Sequence, residues 1–450
     1  GLNGIWYGNI NPANGDSNFS STNVSGSGTA TGMRDSSVVG HYTPFAFLRD
    51  AGSGTDATPK IIANFGQGDP DGENNYADSN GRGGFRYEPP QGFGSLCTTN
   101  MKDVDYAPLG PNTAAGTPDK HFDTLLWVGD GKADRRIGGL NFQPDLIWIK
   151  NRENASYNHH LVDSQRGPDF RFVTNGNQAS AASQVSSLNS DGFTVTADRT
   201  VNDTDDYVAW CWKAGNDSVV DNSGTIGVTR STNVDAGFSI IRYTKNATAG
   251  ATIAHGLGKA PEWIMVKDVD NANDWQCYHV GSHATPEDNY VSLNQTITAT
   301  DSLTRWNDTA PDANFITLGE SGHVNGPNGP YIAYAWTSIE GYSKFGNYEG
   351  NGNADGSFVY LGFRPAWIMV KNADQGSRNW QILDNKRNPI NPVNDFIRAN
   401  AATAENSNYD IDFLSNGFKH YNTDGDNNET GQTFIYIAFA EMPFKYANAR

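Results

Sequence analysis

The chain has 450 residues, with 32 Lys and Arg against 50 Asp and Glu and a formal charge of −18; without a basic run, that balance excludes nucleic acid and anionic membrane as partners. No apolar run approaches the roughly 18 residues of a membrane span, and three separated cysteines (Cys97, Cys211 and Cys277) make neither a disulfide framework nor a metal knuckle. Only 18% of residues are charged, whereas 49 Gly, 20 Pro, 11 Trp, 19 Tyr and 22 Phe supply turns and large apolar anchors, the composition of an all-β chain.

The start, Gly1-Leu-Asn-Gly-Ile-Trp-Tyr7, reads as the inside of a strand, so a piece of something longer is expected. Residues 1–105 form a head segment containing Lys60-Ile-Ile-Ala-Asn-Phe-Gly66 and a Pro/Gly-rich turn, Pro89-Pro-Gln-Gly-Phe93-Gly-Ser-Leu96. Between them, Asp69, Asp71 and Glu73 place oxygen ligands at alternate positions, as hard-cation loops do, which makes this the candidate Ca²⁺ loop; no Glu closes a full twelve-residue pattern. Solvated turns of the same composition need no ion. A spacer is expected over 106–120.

From 121 onward, boxes recur in threes. Each repeat opens on Trp127-Val-Gly-Asp-Gly131, Tyr243-Thr-Lys-Asn-Ala247 or Tyr348-Glu-Gly-Asn-Gly352. A Pro-led box follows: Pro144-Asp-Leu-Ile-Trp-Ile-Lys150, Pro261-Glu-Trp-Ile-Met-Val-Lys267, Pro365-Ala-Trp-Ile-Met-Val-Lys371. Then come Phe193, Phe315 and Phe418 as matching positions, and finally Tyr207-Val-Ala-Trp-Cys211, Tyr331-Ile-Ala-Tyr-Ala335 and Tyr436-Ile-Ala-Phe-Ala440. Such self-similarity sets the fold: three homologous antiparallel β-sandwiches at 121–216, 235–345 and 346–450, with a linker at 217–234. The boxes are short, β-branched or aromatic, and bounded by Gly, Asn, Asp or Pro, as strands are.

The Pro-led strand is apolar on both faces, Ile147 and Ile149 on one and Leu146 and Trp148 on the other in the first copy. One face fills its own sandwich; the other must be covered by a neighbouring sheet, domain or subunit. The Tyr-led strand sets small residues (Ala209 and Cys211) against bulky ones (Val208 and Trp210). The surplus apolar face is the ground for expecting a homotrimer.

Catalytic signatures are missing: no nucleophile elbow, no His-Glu-x-x-His and no phosphate loop, so no enzyme is expected. Asp163-x-x-Arg166 and Asp384-x-x-Arg387 recur in two repeats and read as ion pairs closing a turn, with His279 in that place in the second. Trp148, Trp263 and Trp367 are receptor or packing candidates: aromatic faces suit pyranose rings, while Trp within an apolar strand usually packs. Cys211 and Cys277 stand where other copies have Ala or Ile, as small apolar residues.

The Asn64-Phe-Gly-Gln67 strand with the Pro89–Leu96 turn resembles the closing part of SPRY-like (concanavalin-like) jelly rolls in bacteriophage structural proteins. The Pro-led and Tyr-led boxes, with the ending Phe444-Lys-Tyr-Ala-Asn-Ala-Arg450, are similar to the C-terminal modules of the same virion proteins. The resemblance implies a partial jelly roll ahead of the three sandwiches and a place on the virion. It implies a tail fibre or exposed appendage contributing to host attachment, among other virion proteins and facing a host glycan or protein receptor. The alternative it leaves is a purely structural capsid-decorating or collar component. It supplies no catalytic residues.

Overall fold

The computed structural model describes residues 115–441 except 216 and 328, together with positions 76–78, 81 and 109. The head segment, apart from those few positions, and with it Asp69, Asp71 and Glu73, lies outside the described residues. Residues 105–450 cluster as one compact body. It is all-β, built of antiparallel sheets with one single-turn α-helix, Leu303–Trp306, and two 3-10 turns, Pro118–Lys120 and Pro286–Asp288, among the described residues.

Repeat 1 runs through β1 (Phe122–Val128), β2 (Arg135–Gly138), β3 (Leu146–Asn151), β4 (His160–Asp163), β5 (Phe170–Arg171), β6 (Ala181–Ala182), β7 (Val185–Asn189), β8 (Gly192–Val195) and β9 (Asp206–Trp212). Next come β10 (Val219–Asp221) and β11 (Val228–Asn233). Repeat 2 contains β12 (Phe238–Thr244), β13 (Ala251–Ala254), β14 (Trp263–Asp268), β15 (Gln276–His279), β16 (Asn289–Tyr290), β17 (Thr300–Asp301), β18 (Phe315–Leu318) and β19 (Pro330–Trp336). Repeat 3 contains β20 (Ser343–Glu349), β21 (Phe358–Tyr360), β22 (Pro365–Asn372), β23 (Gln381–Asp384), β24 (Val393–Arg398), β25 (Asn406–Leu414), β26 (Gly417–His420) and β27 (Thr433–Ala440).

Each repeat builds the same four-stranded sheet, with the Tyr-led strand between the opening and Pro-led strands: β1-β9-β3-β4, β12-β19-β14-β15 and β20-β27-β22-β23. A second layer, β2-β8-β7, β13-β18 or β21-β26-β25, covers one face. In repeat 3 the two layers join through β24 into one eight-stranded sheet. Its end strands β20 and β21 are bridged by Lys344 Nζ to the Tyr360 carbonyl (2.9 Å) and Ser357 Oγ to the Glu349 carbonyl (2.8 Å).

The two-sided strands find both covers within the chain. Ile147 and Ile149, Ile264 and Val266, and Ile368 and Val370 turn into three separate cores, one per repeat. The opposite faces converge instead on a fourth core shared by all three. It holds Leu146 and Trp148, Trp263 and Met265, and Trp367 and Met369, with Trp210, Tyr334 and Ile437 from the Tyr-led strands. The three sheets are therefore the walls of one apolar interior, and the uncovered face that argued for a homotrimer is covered by sister repeats.

Three boundaries differ from the expected ones. The stretch 217–234, read as a linker, holds β10 and β11, which extend the repeat 2 sheet in the order β10-β11-β12. Leu109, in the expected spacer, is buried in the shared core. β20 begins at Ser343, ahead of position 346. The matching of Phe315 also shifts by one: Ile137 pairs Phe193 and Val359 pairs Phe418, whereas Ile253 pairs Ile316. Ile316 is the buried residue, and Phe315 lies on the other side of the strand, partly exposed.

Candidate functional site

The repeated side chains are spent mainly at three seams, where each repeat meets the next. At every seam the same three bonds recur. The first is between main chains. In each repeat the loop after the Pro-led strand offers a carbonyl: Val269 to the N–H of Ser180 (2.8 Å), Ala373 to Ala299 (2.7 Å), and Arg152 to Glu405 (2.7 Å). Repeat 1 thus reaches repeat 2, repeat 2 reaches repeat 3, and repeat 3 reaches repeat 1. The ring closes.

That loop is held from within by the last residue of the Pro-led box. Lys150, Lys267 and Lys371 are fully buried, and their ammonium groups donate to loop carbonyls: Lys150 to Asn151, Lys267 to Asp268 and Asn271, and Lys371 to Asn372. Burial pulls all three down to about 8. Asn151, Asp268 and Asn372 complete the loop, each side-chain oxygen accepting from two main-chain N–H groups just ahead.

The second bond ends the fourth strand. Asp163 Oδ1 accepts from the N–H groups of Gln165 and Arg166, and Oδ2 from Arg166 Nε (2.6 Å). The expected turn-closing ion pair is therefore present, and Asp384 with Arg387 repeats it at 2.6 Å. The pairs do more than close a turn. Asp163 accepts from Tyr334 Oη of repeat 2 (2.7 Å), and Asp384 from Trp210 Nε1 of repeat 1 (3.0 Å). His279 occupies the same place in repeat 2; its Nε2 donates to the Tyr436 carbonyl of repeat 3 (3.0 Å). An acceptor became a donor there, and the seam is kept by changing its partner from side chain to main chain.

The third bond precedes the fourth strand. His159 donates to the Arg398 carbonyl (3.0 Å), Trp275 to that of Val173 (3.0 Å), and Trp380 to that of Ser292 (3.0 Å). Asn175, Asn294 and Asn400 hold these residues by accepting their N–H groups. This set carries no mark in the boxes. Its sequence traces are the Trp-Gln dipeptide shared by Trp275-Gln276 and Trp380-Gln381, with His159 in the place of Trp in repeat 1, and one Asn among many in the polar stretch that follows each.

The opening boxes also prove to be loop supports. Trp127, Tyr243 and Tyr348 donate to the carbonyls of Val201, Val324 and Asn427 (3.1, 2.6 and 2.6 Å). The following residues, Asn202, Asn325 and Asn428, bond Asp130, Asn246 and Asn351 of the box itself. The turn places Gly131, Ala247 and Gly352 at φ 65, 53 and 61°, which explains Gly in two of the three.

Trp148, Trp263 and Trp367 are 2, 2 and 1% exposed, within the shared core. No sugar ring reaches them, so of their two readings the structure keeps packing: Trp148 lies edge-on to Trp210 at 5.8 Å and Trp367 to Trp212 at 5.7 Å. Between them and Trp336 is an apolar void of about 10 Å³. The thiols of Cys211 and Cys277 are buried, and that burial pushes both well above the usual range, away from reactivity. Among the described residues no group of three or more His, Cys, Asp or Glu could hold a metal ion, and no helix is long and apolar enough to cross a membrane.

Fold and seams together define an all-β protein of three homologous repeats closed into a ring around one interior. Residues 117–443 match the domain of unknown function DUF7483, and the chain belongs to that family. One copy of the family domain thus spans all three repeats, the body that the seams close. Curated proteins give no match.

Proposed function

We propose that this chain is a structural protein of a bacteriophage virion, a component of a tail fibre or exposed appendage that contributes to host-surface attachment. The observation that carries the reading is the use made of the repeated residues. All three copies of the Pro-led, Tyr-led and fourth-strand positions lock the repeats together. That suits a rigid body presenting its connecting loops, where a catalyst would converge polar groups on a cleft. The likeness of the boxes to C-terminal modules of virion proteins gives the reading its particular setting. Its partners there are other virion proteins, with a glycan or protein of the host surface.

A capsid-decorating or collar component would use the same rigidity without a receptor. The two part on location and adsorption. Antibody raised against residues 105–450 should label purified particles at a projecting appendage, and the free protein should slow adsorption of the phage to its host. Labelling without competition would favour the structural component; absence of the chain from purified particles would remove both.

A further inference from the structure

One surface of repeat 3 has no counterpart in its sisters. On β21, Phe358 and Tyr360 point outward, 46 and 60% exposed, on either side of the buried Val359. The strand pairings put Arg136 and Gly138 at those places in repeat 1, and Thr252 and Ala254 in repeat 2. Repeat 3 alone has replaced two small or polar positions with rings. Isolated exposed apolar residues need no explanation, but these belong to a set. The neighbouring strand presents Lys419 opposite Phe358, with Tyr421, also exposed, two residues on. The ammonium of Lys419 lies 5.3 Å from the Tyr421 ring centroid, and that of Lys344 lies 5.1 Å from the Tyr360 centroid. Lys419 is also paired with the exposed Asp355.

The arrangement is a ladder. At about 3.3 Å per residue along a strand, the Phe358 and Tyr360 side chains start roughly 7 Å apart, and Tyr421 to Tyr360 spans on the order of two or three sugar units. Gly417, opposite Tyr360, keeps the floor low: a Cβ there would meet Cε2 of Phe358 at 3.1 Å and the Val359 carbonyl at 2.0 Å.

We propose that this face binds a neutral oligosaccharide, its pyranose rings stacked on Phe358, Tyr360 and Tyr421 and its hydroxyls shared between Asp355 and Lys419. The charges choose the occupant. A protein partner would need an apolar centre depleted of charge, and here an ion pair sits among the rings. Burying that pair under an apolar surface costs more than it returns. Hydroxyl groups both donate to a carboxylate and accept from an ammonium, so a sugar satisfies the pair while its C–H faces cover the rings. An acidic sugar is disfavoured because the charges around the rings balance: Lys419 pairs with Asp355, and Lys344 beside Tyr360 is matched in number by Asp412, opposite Lys419 on the adjoining strand. The inference rests on the attachment reading above and names its ligand class.

The experiment is saturation-transfer NMR and calorimetry on the full chain with maltotetraose, cellotetraose and chitotetraose, with a tetragalacturonate as the acidic comparison. At least one neutral tetrasaccharide should bind. The Phe358→Thr, Tyr360→Ala pair, which installs the residues of repeat 2, should weaken it about tenfold or more while leaving thermal unfolding unchanged. Lys419→Met should weaken it less, since the rings remain. The proposal is overturned if none of the neutral sugars binds, if the double variant binds as the parent does, or if tetragalacturonate binds best. It is equally overturned if the double variant abolishes self-association of the parent in sedimentation, which would make the face an interface between copies. Sugar binding is read on the isolated protein, so its failure is separate from the absence of the chain from virions.

Discussion

Two interior residues of repeat 3 depart from what its sisters place there. His420 lies two positions beyond Phe418, as Val195 lies beyond Phe193 and Leu318 beyond Ile316. Asn427 offers its carbonyl to Tyr348 as Val201 and Val324 do to Trp127 and Tyr243. Both side chains are fully buried, and among the described residues neither ring nitrogen of His420 nor either amide atom of Asn427 has a hydrogen-bond partner. An unpaired buried amide costs about 1–3 kcal/mol, and Val carries no polar atom to leave unpaired. Asn427→Val should therefore raise the unfolding free energy in urea by that amount, and a lower midpoint would mean that the amide holds something the core needs. Histidines also set the acid limit. Burial lowers His160 and His420 to about 3 and His255 and His279 to about 4, and His159 lies well below its ordinary value. Unfolded, each takes a proton near 6.5, so between roughly pH 6.5 and 4 the unfolded chain binds more protons and stability falls as pH falls. Asp145, raised to about 6 by burial, opposes this with a single proton. The urea midpoint should fall steadily from pH 6.5 to 4; a flat profile over that range would contradict neutral burial of these rings.

At the scale of the element, the fourth strand holds the seam by its two ends. Asp163→Asn tests this most sharply, because Arg166, buried and bonded also to Ser180 Oγ, would be left without a carboxylate. Removing one partner of a buried pair costs about 3–5 kcal/mol. Urea unfolding should show a loss of that size, well above the 0–1 kcal/mol of a surface ion pair. The strands themselves were legible. Apolar residues on both faces of Pro144–Lys150 and its copies demand two covers, and three copies fix the common topology. Which surface supplies the second cover was not legible, because a strand shows only that a face is apolar, and the three sheets that meet are far apart in sequence. Trp148 illustrates this: an indole in an apolar strand serves equally as platform or packing until its neighbours are known. β10 and β11 escaped for another reason. Val219-Val-Asp221 is only three residues long and Val228-Thr-Arg-Ser-Thr-Asn233 is largely polar; they become strands because β11 pairs on the edge of β12 and β10 on the edge of β11. The Phe315 slip shows the limit of matching by residue type, since one position in a strand exchanges inside for outside.

Across the whole molecule, stability belongs to the ring more than to any repeat. The shared core draws Trp148, Trp263 and Trp367 from three sheets, and removing one repeat opens it to water on both of the others. The seam between repeats 3 and 1 joins the two ends of the body: Glu405 bridges Arg152 (2.7 Å) and Arg387 (2.7 Å), while Phe122 stacks on Phe439 at 5.1 Å. Closing it requires contacts between residues more than two hundred positions apart, the slowest kind to form. Two outcomes follow from one cause. Residues 105–450 should unfold in calorimetry as one transition, with calorimetric and van't Hoff enthalpies in agreement, although three homologous domains in tandem would ordinarily give separable steps. Residues 115–215 alone should associate in solution, since Leu146, Trp148, Trp210 and Trp212 would form an uncovered apolar face. The chain carrying all three repeats needs no such association. Light scattering separates the cases: a fragment that stays monomeric, or a body that melts in three steps, would mean that the interior is not the common property of the repeats and that each sheet closes on its own.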